Sequence, residues 1–239
     1  MIEILNQHNF LNNLKRLGIN IDYEIILANQ YSKFLNKNSL IIDVGGHTGL
    51  HTKNFKNIID SSGMIIFIEP LDYIVDKSIL SKNIKYYNCA VSNYIGTSDF
   101  IFASGTPQES GFRERIYNNP DIANPKSISV MVSTIDEIMK NYSSCDYIKI
   151  DTEGSELLCV DGAVETIKKY KPVISIEYGY PSYSAYNLTK ESLWNKCKEI
   201  DYDIYDIFLN KIDTLELWSK VCDLSTWDFF LIHKNKKIC

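Results

Sequence analysis

Of the 239 residues only six are cysteines, at 89, 145, 159, 197, 222 and 239, and none forms a C-x-x-C or another metal-binding spacing. That excludes a cysteine metal site and a dithiol redox pair. Cys89, Cys145 and Cys159 stand inside apolar runs, where cysteine acts as a small buried hydrophobe, and this usage suits a reducing compartment. No run approaches the roughly 18 apolar residues of a membrane span. The opening MIEILNQHNFLNNLKRLG has early Glu and Asn and no continuous apolar core, so it does not read as a secretory leader. Basic blocks are missing too: the net charge is −5, and the tail HKNKKIC is too short for a nucleic-acid footprint. There are no internal repeats. The expectation is a soluble, cytoplasmic protein with no membrane span and no nucleic-acid partner.

What is present is a core. Hydrophobic residues make up 45% of the chain, enough for one domain with an appendage. Short apolar runs alternate with segments of helical period. SLIIDV, GMIIFIEP, NIKYYNCAVS, DYIKID, KPVISIEY, YDIYDIF and WDFFLIH read as strands. LHTKNFKNIID, LDYIVDKSIL, GSELLCVDGAVETIKKY and TKESLWNKCKEI read as helices. Strands alternating with helices predict an α/β fold with a doubly wound, mostly parallel sheet covered on both faces. Residues 1–35 read as a helical extension ahead of a main domain over 36–239. Within it, 96–132 departs from the alternation. GTSDFIFASG and ISVMV read as a hairpin around a long polar stretch with three prolines, expected to be a lid or a substrate contact.

The stretch LIIDVGGHTGLHT runs a buried strand into a turn with three glycines. A tight turn needs one; three suggest that backbone passes close to a ligand. Asp43 ends the strand, Gly45, Gly46 and Gly49 carry the turn, and Thr48 offers a hydroxyl. In an open α/β sheet, ligands sit beyond the carboxyl ends of the strands, and the turn after the first strand is the usual place. The next strand ends in Glu69, 26 residues after Asp43. An acid there bonds ribose hydroxyls, which NAD and S-adenosylmethionine share, and it repels a 2′-phosphate. The spacing D-x-G-G-x-x-G is not G-x-G-x-x-G, so it does not choose the cofactor.

IIDVGGHTGLHT, IFIEP, NCAVSN-IG, VSTIDEI and DYIKIDTEGSELLCVDGA, in that order from about Leu40 to Tyr178, resemble the FkbM-type methyltransferases. The resemblance implies a class I, Rossmann-like methyltransferase: seven strands in the order 3-2-1-4-5-7-6, the last antiparallel, using S-adenosyl-L-methionine. It places Asp43, Gly45 and Gly49 on the turn that cradles the methionine part of the cofactor, with Gly46, His47 and Thr48 between them. Glu69 falls on the ribose acid, and Ala90, Val91 and Ser92 on the segment near the adenine. Asp151, Glu153 and Glu156 fall on the carboxylates ending strand 4, and Glu177 on the Glu ending strand 5. Two departures stand out. Gly46 and His47 replace the usual Ala-Asn, and Gly179 stands where many relatives have His.

Methyl transfer to a hydroxyl needs an in-line nucleophile and a proton acceptor. Asp151 is the first candidate for that base or for holding the acceptor, and also borders the cofactor; Glu177 is the second. The acceptor is expected to be a sugar, glycan or other small-molecule hydroxyl. The rival readings are an NAD-dependent oxidoreductase or epimerase and a non-catalytic module that kept the fold. Asp151, Glu153 and Glu177 are hard oxygen ligands of the kind that suits Mg²⁺ or Ca²⁺, but D-x-E is a weak metal signal, so a divalent metal stays an alternative that is not favoured. His47 is a candidate to line the site; His51 reads as surface or structural, and His8 and His233 as unremarkable. Arg113 and Arg115 read as a solvated loop rather than an anion contact. Tyr178, Tyr180 and Tyr183 either wall the pocket or pack.

Overall fold

The computed structural model describes residues 2–236. Two helices, α1 (Ile2–Arg16) and α2 (Tyr23–Tyr31), precede the first strand, β1 (Leu40–Val44). Asp22 caps α2 by accepting the Ile25 N–H. The chain continues through α3 (Leu50–Ile58), β2 (Met64–Ile68) and β3 (Ile84–Tyr87). Next come β4 (Ala90–Val91), β5 (Gly96–Ala103), the short α4 (Pro120–Ala123) and β6 (Pro125–Ser133). After α5 (Ile135–Met139) follow β7 (Tyr147–Ile150), α6 (Glu156–Asp161), α7 (Val164–Tyr170) and β8 (Val173–Glu177). The last elements are α8 (Tyr180–Tyr183), α9 (Lys190–Glu199), β9 (Tyr202–Tyr205), α10 (Leu215–Val221) and β10 (Asp228–His233).

Seven strands form one sheet in the order β3-β2-β1-β7-β8-β10-β9, parallel except for β10, which runs antiparallel to both neighbours. This is the doubly wound order expected for a class I methyltransferase fold. β4, β6 and β5 make a second, three-stranded sheet, with β5 and β6 paired antiparallel from Gly96↔Val132 to Ala103↔Pro125. Side chains alternate across each large-sheet strand. Ile42, Val44, Ile148 and Ile150 join one core with α6, α9 and α10; Ile41, Phe67, Tyr147 and Phe230 join another beneath α2 and α3. The second face matters for function. Continuing its alternation brings Asp43, Lys149, Glu177 and Asp228 to the side covered by α2 and α3.

Several elements differ from the reading of the sequence. LDYIVDKSIL forms two separate 3₁₀ turns, Asp72–Ile74 and Lys77–Ile79, although Leu71, Val75 and Ile79 are buried at helical spacing. Asp76 accepts the Ser78 N–H and so competes with a continuous helix. NIKYYNCAVS breaks between sheets, because Asn88 Nδ2 donates to the carbonyls of Glu69 and Pro70 and turns the chain. The helix over 154–170 splits at Gly162, where a Cβ would stand 2.1 Å from the Ser92 carbonyl oxygen. α4, α5, α8 and α10 were not expected.

His8 is fully buried rather than unremarkable. Its Nδ1 meets Ser225 Oγ at 2.7 Å and its Nε2 meets Asp206 Oδ2 at 3.1 Å, which ties α1 to the far end of the chain. His8→Ala is expected to destabilise the protein by about 2–4 kcal/mol, since it leaves a cavity and removes a partner from a buried carboxylate. Urea denaturation measures this; a loss below about 0.5 kcal/mol would mean that α1 is not held by this contact.

Candidate functional site

A cavity of about 320 Å³ opens at the carboxyl ends of β1, β2, β7 and β8. The glycine turn forms one wall. Gly45 and Gly49 lie at φ of +72° and +91°, and His47 at +51°. The Gly45 and Gly46 N–H groups both donate to the Ile68 carbonyl, which seats the turn on β2. Gly45 has no room for a side chain: a Cβ there would fall 1.8 Å from the Asp151 carbonyl oxygen.

Glu69 stands beside this turn and is only 5% exposed. One carboxylate oxygen accepts the His47 N–H at 2.9 Å and the other the Leu71 N–H at 2.8 Å. Burial outweighs these two bonds and, with the charges of Asp43 and Asp151, pushes the Glu69 carboxyl up to about 7. Thr48, Ala90 and Val91 also line the cavity, as do Gly46, His47 and Asp151. Three of the expected cofactor residues do not. Asp43 is wholly buried behind the turn and accepts the Thr52 hydroxyl at 2.6 Å. Gly49 faces Ile79. Ser92 is buried with its N–H on the Ser133 carbonyl.

The opposite wall is acidic. Lys149, 4% exposed, bonds Asp151 at 2.8 Å. Burial alone would raise Asp151, but Lys149 and a hydrogen bond from Glu177 hold it at about 2. Glu177 moves the other way: burial and the adjacent Asp151 charge raise it well above the carboxylate range, so the pair keeps one proton on Glu177. Asp228 lies in register opposite Glu177 across β8 and β10. Burial, together with Glu24 and Asp151 and against Lys149, raises Asp228 to about 6. Burial also depresses the His47 imidazole, whose Nε2 is buried with no hydrogen-bond partner among the described residues.

Several lining residues were not expected from the sequence. Glu24 reaches the cavity from α2 and accepts from His51 Nε2 at 2.5 Å, while the Tyr31 hydroxyl meets His51 Nδ1 at 3.2 Å. His51 is thus a buried structural partner rather than a surface residue. No local motif marks Glu24. Asp228 did carry a signal: an antiparallel strand enters at the edge where its parallel neighbours leave, so an acid at its start joins the acids at their ends. Pro107, Gln108, Ser110 and Phe112 close over the cavity from the loop between β5 and β6.

That loop is docked through Arg115, whereas Arg113 remains exposed. Arg115 is 6% exposed and pairs with Glu153, while Arg113 lies over the Tyr186 ring and donates to the Ala185 carbonyl. Glu156 does not line the cavity; its Oε1 accepts the Thr152 and Gly154 N–H groups at 2.9 Å each and fixes the loop ahead of α6. Tyr178 and Tyr183 stack on one another at 4.7 Å and bond Thr189 and Asp223. With the exposed Tyr180, they stand outside the cavity lining.

Among solved structures, the methyltransferase FkbM of Methylobacillus flagellatus KT aligns with 18% identity and a TM-score of 0.48, covering 82% of this chain and 44% of that one. A putative rRNA methylase from Clostridium thermocellum aligns with 7% identity and a TM-score of 0.48 over 85% and 90% of the two chains. The O-methyltransferase TomG of Streptomyces achromogenes, solved with S-adenosylmethionine, aligns with 8% identity and a TM-score of 0.42 over 96% and 89%. This chain therefore spans less than half the length of the Methylobacillus protein. No curated protein matches it by sequence. A family model for the methyltransferase FkbM domain matches residues 43–204, which hold the glycine turn, Glu69, Asp151 and Glu177. The chain belongs to the FkbM methyltransferase family.

Proposed function

We propose that this protein transfers a methyl group from S-adenosylmethionine to a hydroxyl of a sugar, glycan or other small molecule. The observation that carries the reading is the two-walled cavity, with Glu69 on the glycine-turn side and the Lys149–Asp151–Glu177–Asp228 group facing it. The residues suit the cofactor: Glu69 offers a carboxylate to ribose hydroxyls, and Leu71, Ala90, Val91 and Phe100 give the apolar surface an adenine needs. The Gly45–Thr48 turn and Asp151 border the place of the methionine part. The cofactor brings an activated methyl on a sulfonium.

The chain's own work is to hold the acceptor and take its proton. Asp151, at about 2, is a poor base and serves better to orient the hydroxyl. Asp228, at about 6, matches a base working near neutrality, and Glu177 shares a proton with Asp151. Six lining carboxylates against one lysine disfavour a polyphosphate backbone, which supports a small acceptor over a nucleic acid. No described helix is long and apolar enough to cross a membrane. The five cysteines among the described residues are free and buried, which supports a reducing, cytoplasmic setting.

Calorimetry with S-adenosylmethionine, S-adenosylhomocysteine and NAD⁺ tests the reading. The first two are expected to bind, and Glu69→Ala to weaken both by at least about tenfold through loss of a charge-assisted ribose contact. Binding of NAD⁺ alone would favour an oxidoreductase, and binding of none a non-catalytic module.

A further inference from the structure

Asp151, Glu153 and Glu177 each place one carboxylate oxygen within 4.8 Å of the other two. Three hard oxygens in that compass are what Mg²⁺ or Mn²⁺ takes. Yet protein cations already stand on two of them. Lys149 holds Asp151 from the floor of the sheet, and Arg115 holds Glu153 from the loop that covers the cavity.

Arg115 is an unusual partner. Its side chain is only 2% exposed, and its Nη2 is buried with no hydrogen-bond partner among the described residues. Removing a guanidinium from water costs several kcal/mol, and the Glu153 pair together with a long Nε–H bond to the Ile116 carbonyl at 3.3 Å does not offset it. A surrounding excess of negative charge does. Glu153 is itself held in place for this contact: it adopts φ of +58°, which is uncommon for a residue with a side chain, and its Oε2 also accepts the Ser182 hydroxyl.

We infer that Arg115 is the built-in cation of this carboxylate cluster, holding, while the loop is docked, the place a divalent ion would take. Loop docking and divalent-ion binding then compete for Glu153. The inference stands apart from the methyl-transfer reading, because it concerns charge balance and not the cofactor.

Mn²⁺ is the probe, with free ion measured by electron paramagnetic resonance. The wild type is expected to show no stoichiometric binding below about 1 mM, the weak end of carboxylate sites. Arg115→Met, close in volume and without charge, is expected to bind one Mn²⁺ per chain at least about tenfold more tightly and to melt at a higher temperature with the ion than without. Adding Glu153→Gln should abolish the gain, and Arg115→Lys should show none. Limited trypsin digestion of the wild type needs no variant: high millimolar Mn²⁺ should speed cleavage after the buried Arg115 relative to NaCl of equal ionic strength. Wild-type binding as tight as that of Arg115→Met overturns the inference. So does a folded Arg115→Met with no gain, or trypsin cleavage that Mn²⁺ leaves unchanged. S-adenosylhomocysteine titrations of the same proteins report separately on the cofactor reading.

Discussion

Raising the pH from 4.5 to 8 is expected to weaken the unliganded fold by several kcal/mol, against the usual trend for carboxylate-rich proteins. Glu69 is raised from an ordinary 4.5 to about 7 and Asp228 from 3.8 to about 6, each chiefly by burial. A carboxyl whose folded value is raised stabilises the fold fully below its unfolded value, and this is lost as pH rises through the folded value. The window for Glu69 is therefore about pH 4.5 to 7 and for Asp228 about 3.8 to 6. Each is worth on the order of 3 kcal/mol. Glu177 acts in the same sense.

Other groups act otherwise, Glu24 among them, which its hydrogen bond with His51 holds below 4.5. Asp151, depressed to about 2, contributes stability that is present above 3.8 and is lost only at lower pH, so it does not enter this window. His47, held below 6.5 by burial, favours the neutral form and opposes part of the loss. Urea midpoints across the range measure the net slope. Glu69→Gln and Asp228→Asn should each flatten it. The slope is the diagnostic quantity, because a Gln at 69 accepts only one of the two N–H groups that Glu69 satisfies. A wild-type stability that rises from pH 4.5 to 8 would show that these carboxyls are ionised at ordinary values and that the cavity is wetter than its geometry.

Such a slope would mark a site built for function at a cost in stability, and the sequence showed only part of that site. The large sheet was legible because its strands are apolar runs bounded by turn residues. β1, β7 and β8 carry their acids at the carboxyl end, where a parallel sheet opens. Glu69 and Asp151 were legible for the same reason. Glu24 was not, because its place depends on α2 lying over α3, which no local pattern states. Nor was the burial of Arg115 and His8. Their partners, Glu153 for one and Asp206 and Ser225 for the other, lie far along the chain, and a charged residue in a polar loop reads as solvated until its partner is known. The single strand expected over 83–92 failed on a side-chain contact, Asn88 to the Glu69 and Pro70 carbonyls, that exists only after β2 and β3 pair.

The sharpest test of the link between the turn and the carboxylates is Gly45→Ala. Two terms add there. At φ of +72°, a side chain costs about 1–2 kcal/mol by backbone strain alone. The added methyl would also stand 1.8 Å from the Asp151 carbonyl oxygen and 2.9 Å from its carbon, and forcing an atom into a packed site typically costs a further 1–3 kcal/mol. Neither neighbour yields easily. The Gly45 N–H is held on the Ile68 carbonyl, and the Asp151 N–H on the Val44 carbonyl, so relief means spreading β1 from β7 where both reach the cavity. Gly45→Ala should therefore cost about 2–5 kcal/mol and, below its melting temperature, weaken S-adenosylhomocysteine binding, since Asp151 shifts away from the turn. Gly18→Ala is the control: φ is +77°, but nothing lies within 4 Å of the added atom. It carries the strain without the collision and should cost about 1–2 kcal/mol, with cofactor affinity unchanged. Equal losses in the two variants would mean that the turn does not rest on Asp151. A larger loss at Gly45, together with weakened binding, would establish that the glycine is needed for closeness, which is why a buried strand runs straight into so open a turn.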